Sequence, residues 1–434
     1  MNRIIEHLKS LKKIASPLTA FFFGTVLTCC AYGLLSSSLA LRLAQSSDQT
    51  FAAGIILAMY YTGYILAALC SYRIINKVGH IRAFSTYISI FSGIVLMHFF
   101  SPNLIYWGVL RFLEGYCLGS AFMCLESWLN ARATNANRGV IMSLYMISSY
   151  LGASLGQLML NIPDPSGVVI YITVSVLLSV ALVPISLTAL PTPAITVHKT
   201  MSLLALYKKT PVGVIGCLVS GVFVGAFYVL GAIYAHQMKL SLEHTSLFLF
   251  FGVFGGMAIQ LPIGKLSDYF DRRFVMLMIG GFLFLVVPWV HFFINDGLPP
   301  LIIGALLLGC GTFILYPISV SHVNDMIEDD ERVEASGMLI LLQSIGMIFG
   351  PIIISFFMQE FGPISFVGAY ALAAGAFVLF SLKHIAFRPD VVYVSPSPTY
   401  PIPLDTTRVF HNISENESLM DRAKELVIPP EKKL

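Results

Sequence analysis

Apolar runs of about 20 residues recur along the whole chain, and a run of that length crosses a bilayer as one helix. Twelve are found, at 18–43, 50–72, 83–101, 104–129, 139–161, 168–190, 211–236, 244–266, 274–295, 299–323, 334–358 and 364–386. A backbone in hydrocarbon must satisfy its own hydrogen bonds, which a helix does and an open sheet cannot. Composition agrees: 11% of the 434 residues are charged, against roughly 25% in soluble domains. With 56% hydrophobic residues, the chain has too little polar surface to cover a water-facing globule. The expectation is an all-α integral membrane protein with twelve transmembrane helices.

The first run follows a basic stretch, "MNRIIEHLKSLKKIASPLTAFFFGTVLTCC", as a signal peptide would. It continues from Leu18 to Leu43, longer than an h-region, so we expect a retained first helix. Lys and Arg then set the orientation. With the N-terminus inside, the outer connections hold only Arg42 and Lys239, and the inner ones hold the rest. The reading is a multi-pass protein of the cell (inner or plasma) membrane with both termini cytoplasmic. Residues 1–17 form an N-tail, 18–190 one six-helix bundle, 191–210 a cytoplasmic linker and 211–386 a second six-helix bundle. Residues 387–434, rich in Pro, Ser and Asn, read as a disordered cytoplasmic tail.

Several function classes are disfavoured. A net charge of +3 without a basic block offers nothing to nucleic acid. The seven cysteines all fall in apolar stretches, without metal-ligand spacing, and read as packing residues. No Gly-x-Ser-x-Gly, His-Glu-x-x-His or phosphate-binding loop occurs, so we expect no enzyme, no cofactor and no direct use of ATP. A passive channel would need repeated polar rings, which the sequence lacks.

The two halves repeat. "NANRGVIMSLYMISSYLGASLGQ" (135–157) aligns without a gap on "DDERVEASGMLILLQSIGMIFGP" (329–351), an offset of 194 residues. It pairs Arg138 with Arg332, Gly152 with Gly346 and Gly156 with Gly350, and the same offset pairs Gly115 with Gly309. An offset of 192 sets "YRIINKVGHI" (72–81) on "GKLSDYFDRR" (264–273).

That last stretch, Gly264-Lys-Leu-Ser-Asp268-Tyr-Phe-Asp-Arg272-Arg273, resembles the loop motif of the major facilitator superfamily, Gly-x-x-x-Asp-Arg-x-Gly-Arg-Arg. The earlier copy departs further from it: Tyr72 stands at the first glycine, Asn76 at the aspartate and Lys77 at the arginine, while Gly79 keeps the second glycine. Arg111-Phe-Leu-Glu-Gly115 resembles the superfamily's Arg-x-x-x-Gly signature of the fourth span. Gly346-Met-Ile-Phe-Gly350-Pro351 resembles its antiporter motif, but in span eleven; span five has Gly152 and Gly156 and no proline. "VGHIR" (78–82), "ESWLN" (126–130), "NRG" (137–139) and "LYP" (315–317) are similar to a YcaD-like subgroup. The resemblance covers roughly residues 18–386. It implies two pseudo-symmetric six-helix bundles, the major facilitator fold, that rock about a midplane site.

Within that frame, charged residues inside spans are the functional candidates, because the bilayer core penalises each by about 3 kcal/mol. At about 100° per residue, Arg111, Glu114, Glu126, Gly115 and Gly119 share one broad face of span four. Arg111 and Glu114 lie about 4.5 Å apart in rise and can pair. One reading makes them a substrate and proton site; the other makes them a fixed ion pair. Glu126, near the other end of the helix, reads as a gate or anchor. Tyr32, Gln157, Tyr316 and Gln343 are candidate cavity residues. Asn76, Lys77, Gly79, Arg82, Arg138, Gly264, Asp268, Arg272, Arg273 and Arg332 read as latch or gate residues; Gly115, Gly119, Gly152, Gly156, Gly346, Gly350 and Pro351 read as helix-packing positions. His322 and Asp325 are either a pH-sensitive pair or part of a loop salt bridge. The expected function is monomeric secondary transport of a small organic solute, coupled to protons, with drug or metabolite efflux by antiport as the alternative.

Overall fold

A computed structural model describes residues 18–46, 49–132, 138–164, 167–187, 202–328 and 331–387. The expected tails at 1–17 and from 388 onward, and most of the 191–210 linker, lie outside the described residues. Twelve long helices are present among those described: α1 (Thr19–Ser46), α2 (Thr50–Val78), α3 (His80–Met97), α4 (Leu104–Arg132), α5 (Arg138–Leu158), α6 (Val169–Ser186), α7 (Pro211–Gln237), α8 (Leu242–Tyr269), α9 (Arg272–Phe293), α10 (Leu298–Met326), α11 (Arg332–Phe361) and α12 (Ile364–Phe387). A short helix, Leu203–Lys209, precedes α7.

Eleven of the twelve are long and apolar enough to cross a membrane. The other, α5, carries serines. Ser148, Ser149 and Ser154 each donate back to the carbonyl four residues earlier, at 2.7–2.9 Å. Their hydroxyls are therefore satisfied within the helix, as a bilayer-embedded segment requires.

Several helices outrun their apolar cores. The α2 helix continues through the basic stretch to Val78, beyond the expected stop at 72. Apolar length measures the hydrocarbon layer, whereas backbone hydrogen bonding continues into water. Gly79 ends the helix with φ +87, a conformation that costs a glycine little and a side chain more.

The packing repeats between halves. In the first half α2 packs on α4 and α1 on α5; in the second α8 packs on α10 and α7 on α11. Glycines set these crossings. A Cβ at Gly115 of α4 would meet the Tyr60 carbonyl of α2, and one at Gly309 of α10 would meet the Gly252 carbonyl of α8. Likewise Gly152 and Gly156 of α5 seat on Val26 and Cys30 of α1, while Gly346 and Gly350 of α11 seat on Leu218 and Val222 of α7. Each contact maps onto its counterpart by the two sequence offsets, so the repeat is a repeat of helix crossings. Gly119 packs on Tyr64 and Ala67 of α2, and Pro351 meets both Gly54 of α2 and Gly225 of α7.

The bundles meet through α2 with α11, α5 with α8 and α1 with α7. The connections α1–α2, α3–α4 and α5–α6 share one face, here the first face, where Arg42 near the end of α1 pairs with Asp164 of the α5–α6 connection. Cross-bundle hydrogen bonds lie there: Phe51 N to Gln359 Oε1 at 3.1 Å, Gln237 Nε2 to Thr50 Oγ1 at 3.2 Å and Asn161 Nδ2 to Ser246 Oγ at 2.7 Å. Phe51 also meets Phe356 edge-on at 5.6 Å.

Candidate substrate and proton site

The α4 helix brings Arg111 and Glu114 onto one face, three residues apart. Arg111 Nη1 donates to Glu114 Oε2 at 2.8 Å, with the side chains 1% and 0% exposed. The guanidinium carbon lies 4.8 Å from the centre of the Tyr60 ring of α2, a cation–π arrangement. Tyr60 stacks on Tyr32 of α1 at 4.8 Å, and Tyr32 reaches Tyr228 of α7 at 6.3 Å. Tyr228 and Tyr150 both touch Phe313 of α10. An aromatic seam thus runs from Arg111 across the boundary between bundles.

A third polar group completes the cluster. His98, the residue that caps α3, places Nδ1 3.4 Å from Glu114 Oε1, with both side chains 0% exposed. Its ring stacks on Tyr171 of α6 at 5.8 Å and meets Trp107 edge-on at 5.4 Å. Sequence reasoning missed His98, although it lies inside the expected third span. The rule that selects Arg111 and Glu114, that ionisable groups in spans are functional candidates, also selects this histidine. Among the described residues, Arg111 Nε, Glu114 Oε1 and both His98 nitrogens lack hydrogen-bond partners. Such buried groups each cost about 1–3 kcal/mol when left unsatisfied, which singles the cluster out from a closed structural ion pair.

Toward the first face, Arg42 covers the other side of the site. Its guanidinium lies 4.7 Å over the Tyr171 ring and donates to Asp164 Oδ2 at 2.8 Å. Burial raises the Asp164 carboxyl, but the backbone N–H groups of Val169 and Ile170, with Arg42, outweigh it and hold it below the usual aspartate range.

Other expected cavity residues separate. Gln157 is buried and accepts from Ser37 Oγ at 2.5 Å, a bond between α5 and α1. Gln343 is half-buried, and its backbone carbonyl packs on Gly221 of α7. Tyr316 of α10 is half-buried and, with Tyr64 of α2, lies within electrostatic reach of Glu126. Glu126 accepts from the Tyr145 hydroxyl of α5 at 2.9 Å. Trp128 is 3% exposed and packs edge-on against Phe21 at 4.2 Å, so it is a core residue and not the interfacial anchor its position suggests.

On the opposite, second face the two loop motifs behave differently. Arg272 bridges Asp268 at 2.8 Å and Asp325 at 2.6 Å, and donates to Ser267 Oγ at 2.7 Å. Asp325 therefore joins a loop salt bridge, not a pair with His322. Asp271, at a glycine position of the motif, caps α9 by accepting from Arg273 N at 2.8 Å, and Arg273 Nη2 pairs with the same carboxylate at 2.8 Å. Gly264 has open space beside it. In the earlier copy Asn76, Lys77 and Arg82 are exposed, and among the described residues their side chains make no hydrogen bond or ion pair. Arg332 is exposed, its Nε 3.3 Å from the Asn324 carbonyl; the Arg138 side chain lies outside the described residues. "VGHIR" and "ESWLN" meet directly, with His80 Nε2 and Ser127 Oγ 2.9 Å apart.

The sequence profile described as Major Facilitator Superfamily matches residues 21–260 and 253–400. The chain belongs to the major facilitator superfamily. An uncharacterized MFS-type transporter, YcaD of Escherichia fergusonii, is 25% identical over 351 residues, covering 80% of this chain and 90% of its own length. A similar MFS-type transporter of Enterobacter sp. (strain 638) is 27% identical over 384 residues, covering 87% and 98%. Among solved structures, the nucleoside transporter NupG superposes with a TM-score of 0.67 at 14% identity, covering 85% of this chain and 98% of its own. A bacterial homolog of the human lysosomal transporter Spinster, in an inward-facing and occupied conformation, gives 0.66 at 13%, covering 87% and 96%. At such identities these structures establish the superfamily's fold, two pseudo-symmetric six-helix bundles, and the sequence relatives place the chain among membrane transporters.

Proposed function

We propose that this chain moves a small organic solute by alternating access, driven by the proton gradient, with the Arg111–Glu114 pair as the coupling element. The observation that carries the reading is the buried ion pair facing the Tyr60 ring, with unpartnered polar atoms beside it. While Glu114 is ionised it holds the Arg111 charge. When it takes a proton, the guanidinium loses its counter-charge and becomes available, through the Tyr60–Tyr32 side, to an acceptor on the solute. Proton and solute are then linked through one side chain.

The solute chamber in this reading is the aromatic seam between bundles, where Tyr32, Tyr228 and Phe313 meet. The charge bias of the connections supports a cytoplasmic second face. The structure would then be the state in which the outer, first face is held together by the Asn161–Ser246 and Phe51–Gln359 bonds. The salt bridge of Arg272 with Asp268 and Asp325, together with Glu126, would gate the cytoplasmic side.

The test is reconstitution in liposomes with an internal pH dye, and a solute library added under an imposed pH gradient. Solute-dependent proton flux is expected from the unaltered protein and not from Glu114→Gln. A Glu114→Gln protein that transports its solute with full pH dependence would overturn the assignment.

A further inference from the structure

We propose that His98 is a second proton-carrying group of this site, and that one proton drawn from the first face is shared between His98 Nδ1 and Glu114 Oε1. The proposal rests on the transport reading only for what the proton drives.

Two observations point to it. The two atoms stand 3.4 Å apart with both side chains fully enclosed. By strict geometry neither His98 nitrogen, nor Glu114 Oε1, makes a hydrogen bond among the described residues, and the backbone acceptors close to the ring are the Ile94 and Val95 carbonyls. A histidine held only for packing would have at least one nitrogen satisfied. The groups that face the pair are few. From α4 come Arg111, bonded to the other carboxylate oxygen, and Cys117. From α3 come the Ile94 and Val95 carbonyls, and from α6 Tyr171. From α1 and α2 come Tyr32 and Tyr60, which face Arg111.

The charges balance. With neutral His98 and ionised Glu114, the cluster with Arg111 is neutral overall. Uptake of one proton from water forms the imidazolium, and a small turn of the ring then aims its Nδ1–H at Oε1, 3.4 Å away. Transfer breaks Nδ1–H and forms Oε1–H, leaving neutral imidazole and a carboxylic acid that no longer offers Arg111 a counter-charge. An imidazolium among apolar rings is costly alone, and a carboxylate at this distance offsets much of that cost. Between His98 and the first face lie the Tyr171 ring stacked on it and, over that ring, Arg42, whose side chain is 29% exposed, so water entering past Arg42 is the proton source in this proposal.

Trp107 supplies the readout, since its ring touches His98 and imidazolium quenches indole emission. The chain has three tryptophans, so Trp128→Phe with Trp289→Phe leaves this reporter alone. Titrated from about pH 9 to about pH 5, the purified protein should show a reversible quench. His98→Gln should abolish it. Glu114→Gln should move its midpoint to lower pH by roughly one unit or more, because the carboxylate that stabilises the imidazolium is gone. A quench that survives His98→Gln, a midpoint unmoved in Glu114→Gln, or no quench across the range would each overturn the proposal. Nitrogen-15 histidine spectra of the unsubstituted protein check this without a variant: His98 ring signals that do not move anywhere across the range overturn it. Because neither measurement needs a solute, a titrating His98 in a protein without proton-driven flux would sink the transport reading and leave this one standing.

Discussion

Arg111 donates to Glu114 at 2.8 Å inside a helix bundle where neither side chain reaches solvent. Removing one partner leaves a buried charge, and such breaks cost about 3–5 kcal/mol, whereas replacing both by apolar residues of similar volume is often close to neutral. Glu114→Leu and Arg111→Met should each lower the unfolding midpoint of the purified protein strongly. The double variant should recover much of the loss while remaining inactive in transport. Chemical unfolding of the four proteins in detergent checks this, and simple additivity of the two losses would contradict it.

The helix count and the two-fold repeat were legible because both rest on patterns the chain must carry: apolar length for the bilayer and glycine for close crossings. The ion pair was legible too, since an i, i+3 spacing within one helix fixes proximity. What escaped was tertiary. His98 and Glu114 are adjacent in space only because α3 ends where α4 has made its third turn, and no periodicity within either helix states that. Arg272 as the partner of Asp325 in its expected salt bridge was hidden for the same reason. The Ser37–Gln157 bond between α1 and α5 was hidden as well, because a wheel tells which face a residue is on, not what lies opposite.

The glycine crossings make a paired prediction. Gly115→Ala and Gly309→Ala each push a methyl into a neighbouring backbone carbonyl, of Tyr60 and Gly252 respectively. Backbone cannot yield as a side chain can, so overpacking of about 1–3 kcal/mol is expected at each site. Gly264→Ala, with open space around the new methyl, should be nearly silent by comparison. Equal melting temperatures for all three would refute the crossing argument.

Arg272 is 17% exposed and its two acidic partners are 59% and 53% exposed. Exposed pairs contribute about 0–1 kcal/mol, so Asp268→Asn with Asp325→Asn should leave the melting temperature almost unchanged. A gating role predicts a different effect. The spread of distances between spin labels at Lys77 and Lys265, on the second face of the two bundles, should broaden or shift. A variant with unaltered distances and unaltered turnover would reduce the motif to ordinary loop charge.

Asp164 joins two bundle elements at once. It accepts from Val169 N at 3.0 Å and Ile170 N at 3.4 Å at the start of α6, and from Arg42 at 2.8 Å. Although burial acts to raise it, those donors hold its folded value below the ordinary aspartate value of 3.8. A depressed acid contributes stability that is fully present above its ordinary value and is lost as the pH falls through the folded value. At neutral pH, Asp164→Ala should cost about 1–3 kcal/mol by leaving the Val169 and Ile170 N–H groups without their acceptor, with a further loss from the broken pair. Asp164→Asn, which keeps an acceptor but no charge, should cost less. Melting curves of the unsubstituted protein and Asp164→Asn should run apart above about pH 4 and converge below it, where Asp164 itself takes a proton. Curves that stay parallel down through the acid range would show that the charge on Asp164 does not contribute to holding α1 to α6.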